Sequence, residues 1–208
     1  MISHALTIVM NELNRHLVDA YNASDVVKLG NLAEGLGGGV DNVPRDKIIL
    51  SLVNIKEEKS LKNLPNQVRN DTTLRVVYEN PPVFLNGQIL IVATHKDYAS
   101  ALLMLSRAIR FFQSRNVFTQ NNVAPSSISS GAPNNLLDQL ETFKLIFDLC
   151  SPTMEEINHL WGTLGGKQYP FSLYLLRLLE LQFKATQSEG GLITEVVSDF
   201  YHKTSSAK

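Results

Sequence analysis

The run Lys47-Ile48-Ile49-Leu50-Ser51-Leu52-Val53-Asn54-Ile55 constrains this chain more than any other stretch. A strand on a one-faced sheet alternates apolar and polar residues, and a surface helix leaves a polar stripe. This run does neither. Its β-branched and leucine side chains leave almost no polar face, so residues 47–55 read as a strand buried on both sides. A sheet of that kind needs cover above and below. The cover is legible as helices. Ile2, Leu6, Val9, Leu13, Leu17 and Tyr21 recur at helical spacing over residues 2–22, with Ser3 as a candidate cap. Asp97 stands where it caps a second helix over residues 98–114, with a stripe of Tyr98, Ala101, Leu102, Leu105, Ile109 and Phe112. The expected class is α+β: a mostly antiparallel sheet packed against two or three helices.

The remaining segments fill in that scheme. Residues 25–30 predict a short strand, and the glycines of 35–39 a loop. Residues 56–72, with Pro65 and several asparagines, predict a long surface loop. Leu74, Val76 and Tyr78 alternate as a half-buried strand that Asn80-Pro81-Pro82 interrupts. Residues 83–93 form the next strand, with Asn86-Gly87 as its bulge. Residues 115–136 read as an exposed excursion in which Val117-Phe118 is pinned down. Phe143, Leu145, Phe147 and Leu149 alternate in a strand over 140–150. A short helix follows, capped either by Ser151 with Pro152 or by a Thr153/Glu156 capping box. It carries Ile157, Leu160 and Trp161 and stops at Gly162, Gly165 and Gly166. Residues 169–182 are a strand of the right length to pair with 140–150. The expected domain covers residues 1–183. Residues 184–208 form a tail or arm with one β-like segment, 192–201.

Charge and motifs exclude several roles. Nineteen basic residues against 20 acidic ones, a net charge of -1, argue against a phosphate-backbone partner, so no nucleic acid is expected. Lys56, Glu57, Glu58, Lys59 and Lys62 mix signs, as a solvated turn does. No stretch reaches the ~20 apolar residues of a membrane span, and the first residues lack a secretory pattern. The chain is therefore expected to be made in the cytosol. The single cysteine, Cys150, ends an apolar run and reads as packing. There is no zinc-helix histidine pair, nucleophile elbow or dinucleotide fingerprint, and 35–39 lacks the Lys-Ser/Thr of a phosphate loop. His95 and Asp97 at a strand-to-helix junction, and the Glu155–His159 pair, read as capping and surface groups. No catalytic, cofactor-binding or metal residue is expected, and no enzyme.

Three stretches carry a resemblance. The first is Leu52-Val53-Asn54-Ile55-Lys56-Glu57-Glu58-Lys59 followed by Leu61-Lys62-Asn63. The second is Asn80-Pro81-Pro82-Val83 leading into the 97–114 helix that closes Ile109-Arg110-Phe111-Phe112-Gln113-Ser114. The third is Glu156-Ile157-Asn158-His159-Leu160-Trp161-Gly162-Thr163-Leu164-Gly165-Gly166-Lys167, then Pro170 and a strand with Arg177. In this order they resemble the N-terminal domain of the cap, or tail-terminator, protein of extracellular contractile injection systems and related phage-tail-like particles. Residues 35–39, 115–136 and the tail depart from it. The resemblance implies a ring of six copies that ends the inner tube and holds the last sheath layer, without cofactor or catalytic residue. Its partners would be itself, the tube protein and the sheath protein. It implies assembly in the bacterial cytoplasm and release within a particle. A baseplate or sheath-adaptor subunit is the nearest alternative, and a small enzyme around His95, Asp97 and Tyr98 a more distant one. Candidate interface residues are Lys56, Glu57, Glu58, Lys59, Trp161, Gly165, Gly166, Leu192, Ile193, Val196 and Phe200. Trp161 reads first as a core anchor and second as an interface anchor. Segment 192–201 is either a donated strand or a strand covering this chain's own edge.

Overall fold

Helix α1 (Ile2–Tyr21) buries Ala5, Leu6, Ile8, Val9, Leu13 and Leu17. Its N-cap is Met1 without a side-chain bond, so Ser3 lies inside the helix and does not cap it. Asn22 closes it in a left-handed conformation (φ 53), its N–H reaching the Val18 carbonyl while the Ala23 N–H reaches that of Leu17. Asn14 then holds strand β1 (Val27–Leu29), donating to the Val27 carbonyl at 3.0 Å and accepting from its N–H at 2.9 Å.

In this computed structural model the described residues are 1–34, 43–62, 65–70, 72, 75–182, 186–191, 195–198 and 200. They fall into two units: Met1–Lys62 with Val83–Leu181, and Asn63–Pro82 with Gln182–Lys208. The second unit thus takes residues 63–82 from within the stretch that the sequence assigns to one domain.

In the first unit, β1 runs parallel to β2 (Ile48–Glu57). Next come β3 (Gln67–Asn70) and β4 (Arg75–Glu79), which belong to the second unit. The first unit resumes with β5 (Val83–Ala93), α2 (Tyr98–Ser114), β6 (Val117–Thr119) and α3 (Pro125–Ser129). β7 (Lys144–Cys150), α4 (Met154–Thr163) and β8 (Phe171–Leu181) complete it. Its six-stranded sheet has the order β1-β2-β5-β8-β7-β6, antiparallel except for β1 with β2. Neighbouring residues of β5 feed opposite faces. Ile89 and Ile91 join the core beneath α1 and α2, while Leu90 and Val92 pack with Trp161 of α4. That is the two-sided cover that the 47–55 run demanded. Registers of β5 with both neighbours slip around residues 85–87 and 52–54. A Cβ on Gly87 would come within 3.1 Å of Leu52 Cδ1, so the bulge position suits glycine.

Several expectations need correction. Residues 48–51 of β2 are buried, but residues 54–57 are exposed, and β1 pairs only with Ile48 to Leu50. Residues 56–72 are not one loop: β2 continues through Glu57, a 3-10 turn spans Lys59–Leu61, and β3 follows. The buried stripe of α2 is rotated toward Met104, Ala108 and Phe111, leaving Tyr98 and Leu102 in solvent. Leu149 is likewise exposed. The 115–136 excursion is anchored: Phe118, Val123 and Ser127 are buried. Among the described residues α1, α2 and α4 are the expected helices, and the five-residue α3 adds one more.

The second unit is a three-stranded antiparallel sheet, β3-β4-β9, where β9 is Thr186–Gly191. The strand in the C-terminal segment therefore lies upstream of the predicted 192–201. Of that segment, residues 195–198 and 200 are not in a strand, and Leu192 and Ile193 lie outside the described residues.

Candidate assembly interface

The open edge of β2 is the first feature that sets this surface apart. Among the described residues, residues 52–57 pair with β5 only. Their outward backbone groups form the kind of edge that accepts another chain's strand. Lys56 and Glu57 are the exposed end of this edge, and Glu57 meets Lys62 at 3.6 Å. Glu58 turns the chain away. Its N–H donates to the Phe84 carbonyl at 2.8 Å. Its carboxylate accepts from the Ser60 hydroxyl (2.6 Å), the Ser60 N–H (3.1 Å) and the Asn86 amide (2.8 Å). Those donors, Ser60 first and Asn86 next, hold the Glu58 carboxyl down at about 2. Lys59 begins the turn that Glu58 caps. So the Lys56–Lys59 cluster is partly a built corner: two exposed residues on an edge, one capping carboxylate and one turn residue.

An open groove runs beside this edge, between the exposed half of β2 and α4. Asn54, Lys56, Gln88, Pro152, Glu156 and Leu160 line it. The α4 helix starts where Thr153 and Glu156 form a reciprocal capping box. Thr153 N–H donates to the Glu156 carboxylate at 2.8 Å and Glu156 N–H to the Thr153 hydroxyl at 3.3 Å. Trp161 is inside, 5% exposed, with Tyr169 and Phe171 rings 6.1 and 5.4 Å away. Its indole N–H meets no acceptor among the described residues. Gly165 (φ 92) and Gly166 (φ 77) take conformations that side-chain-bearing residues avoid, and they lead the chain into residues 167–170. Trp161, Gly165 and Gly166 therefore shape a loop from behind. Val196 and Phe200 are exposed, Phe200 by 95%. Both belong to the second unit.

Among the groups that drew attention as chemistry, Asp97, Glu155 and His159 have structural partners, while the buried His95 Nδ1 meets none among the described residues. The Asp97 carboxylate caps α2, accepting from the Ser100 N–H at 2.9 Å and hydroxyl at 2.7 Å. Burial holds the His95 imidazole below its ordinary range, with Asp46 opposing and Lys47 adding. Glu155 and His159 sit 3.8 Å apart in solvent. Burial raises Cys150, which favours the thiol over the reactive thiolate. Among the described residues no group of three or more His, Cys, Asp or Glu is placed to hold a metal ion. No described helix is long and apolar enough to cross a membrane.

Sequence reasoning missed a second exposed apolar group. Tyr98, Leu102 and Leu103 of α2 and Leu136 and Leu137 of the 115–140 region all stand in solvent. The signal for Leu136-Leu137 was present as two leucines inside an Asn-Pro-Ser stretch, but which face of α2 is covered needed the tertiary structure.

Two solved structures share this fold. A PVC sheath/tube terminator of an extracellular contractile injection system, in its extended state, aligns with all of this chain and 65% of its own length, at 13% identity and a TM-score of 0.58. The tube-terminating cap of the anti-feeding prophage aligns with 92% of this chain and 60% of its own length, at 14% identity and a TM-score of 0.53. The chain thus spans less than two thirds of either protein. Comparison with curated proteins gives no match. The Pvc16 N-terminal domain profile matches residues 4–195. By that match, which runs from within α1 to beyond β9, the chain belongs to the Pvc16 N-terminal domain family.

Proposed function

We propose that this protein is a structural cap: it ends the inner tube of a contractile injection system and secures the last sheath layer. It acts as a ring, with six copies as the expected number, and without catalysis. The observation that carries this reading is family membership over residues 4–195, joined to a fold shared with two tube-terminating proteins. The role places physical demands on the surface. A terminator must complement the tube end on one face and lack the tube's polymerising surface on the other. A ring repeats each modest contact, so weak single affinities combine. The open edge of β2 offers the sheath or tube a backbone docking line. The segment after residue 183 serves as an arm: β9 covers β4, and Val196, Val197 and Phe200 beyond it present uncovered apolar surface. Assembly takes place in the bacterial cytoplasm, before the finished particle is released.

Negative-stain microscopy of particles from cells with and without the gene tests the reading. Overlong, sheathless or absent tubes without the gene, restored by supplying it in trans, are the expected result. Particles of normal length with an intact sheath and a normal distal end would overturn it. Removal of residues 185–208 tests the arm: unchanged binding to tube and sheath would refute that part alone.

A further inference from the structure

We infer that copies of this chain join head to tail by a knob and a groove: the Leu136–Asp138 turn of one copy seats between α2 and residues 168–171 of the next. The inference rests on the ring reading above and supplies its subunit contact.

The knob is preorganised. Leu136–Asp138 is a 3-10 turn capped by Asn135, whose side-chain oxygen accepts from the Leu137 N–H at 3.0 Å. Gln139 ties it back, donating to the Pro133 carbonyl at 2.8 Å. Leu140 is buried, and its N–H donates to His4 Nδ1 at 2.9 Å, which roots the turn against α1. Yet Leu136 and Leu137 are 74% and 67% exposed. A turn so firmly held, with two leucines that leave most of their surface uncovered, loses little freedom on docking. Asp138 and Glu141 flank the leucines and are exposed.

The groove is its complement. It is open, and lined by Tyr98, Leu102, Leu105, Tyr169, Pro170 and Phe171. Tyr98 is 67% exposed. The 168–171 wall is backed by Trp161 through its ring contacts with Tyr169 and Phe171. Lys96 and Lys167, both exposed, flank these lining residues in the chain. The acidic residue between them in this setting, Asp97, is committed to Ser100. Protrusion meets concavity, leucine meets aromatic, and acidic rim meets basic rim. Because knob and groove are different patches of one chain, their contact is heterologous, the type that gives a ring when its rotation closes and a filament when it does not.

Sedimentation velocity on the full chain, over a concentration series, reads the contact directly. The wild type should form species larger than dimers as concentration rises, and less readily at high salt. Leu137→Asp and Tyr98→Asp should each weaken self-association by at least about tenfold. Both positions are exposed, so thermal melts should match the wild type. Mixed together, the two variants should form a one-to-one heterodimer and stop there, since only one intact knob then meets one intact groove. Asp138→Lys should weaken assembly and Lys167→Glu in the same chain restore it. A wild type that stays monomeric throughout, variants that assemble normally, or a mixture that gives no heterodimer would each overturn the contact. These outcomes are independent of particle length by microscopy, so knob and groove can fail while the cap reading stands, and the reverse.

Discussion

Glu12 is a carboxylate with no exposed side-chain surface, set in the middle of α1. It accepts from Arg15 at 2.9 Å, from Arg115 at 2.5 Å and from the Ala124 N–H at 3.1 Å. Burial pushes its carboxyl up, and the hydrogen bonds from Ser127, Ala124, Arg15 and Arg115 outweigh that and bring it below its ordinary value. It thereby fastens the 115–136 segment to the first helix. Glu12→Ala leaves the Ala124 N–H without its acceptor and takes one partner from Arg115, which is a third exposed and keeps the Asn122 carbonyl, and should cost about 1–3 kcal/mol in urea unfolding. Arg15→Ala, at a half-exposed position, should cost less than about 1 kcal/mol. Glu58 offers the pH test. Its folded value lies at about 2, below the ordinary 4.5, so the stability it contributes is present above 4.5 and is lost as pH falls toward 2. An NMR titration should place its midpoint there, and Asn86→Ala should raise it.

At the scale of elements, local signals were readable wherever both partners lay within a few residues. Asp97 set the start of α2 because its carboxylate reaches Ser100 three residues on. The choice between the two α4 caps went to Thr153/Glu156, where two backbone donors are satisfied reciprocally, as Ser151–Pro152 would not allow. Thr153→Ala should cost α4 about 1 kcal/mol, measurable by thermal unfolding. Gly166→Ala should cost a similar ~1 kcal/mol because its φ of 77 suits glycine. The rotation of the α2 stripe was not readable. Tyr98 and Leu102 fit an apolar helical face as well as Met104 and Phe111 do, and only the packing of Phe111 and Phe112 against Phe118 and Phe147 decides between them.

For the whole molecule, the six-stranded sheet puts β5 and β8 in the middle and leaves the three-residue β1 and β6 at its edges. Hydrogen exchange should therefore be slowest in β5 and β8 and faster in β1 and β6. Fast exchange in β5 would contradict this sheet order. The same topology explains why an open strand edge lies beside a deeply buried one. β2 is internal for its first residues and an edge for the rest, since β1 ends after Leu29.

What the sequence determined by itself was the set of elements with strong periodicity or complete caps: α1, α2, β5, β7, α4 and β8, and with them the α+β class and the family resemblance. Their signals are local, an alternation or helical period along one segment or a cap that closes within a few residues. The tertiary structure alone decided which strands share a sheet, that β4 takes β9 as a neighbour, that half of β2 is uncovered, and that Trp161 faces inward while Tyr98, Leu136 and Leu137 face out. Those outcomes depend on residues dozens of positions apart competing for the same surface. No local pattern records which of them wins.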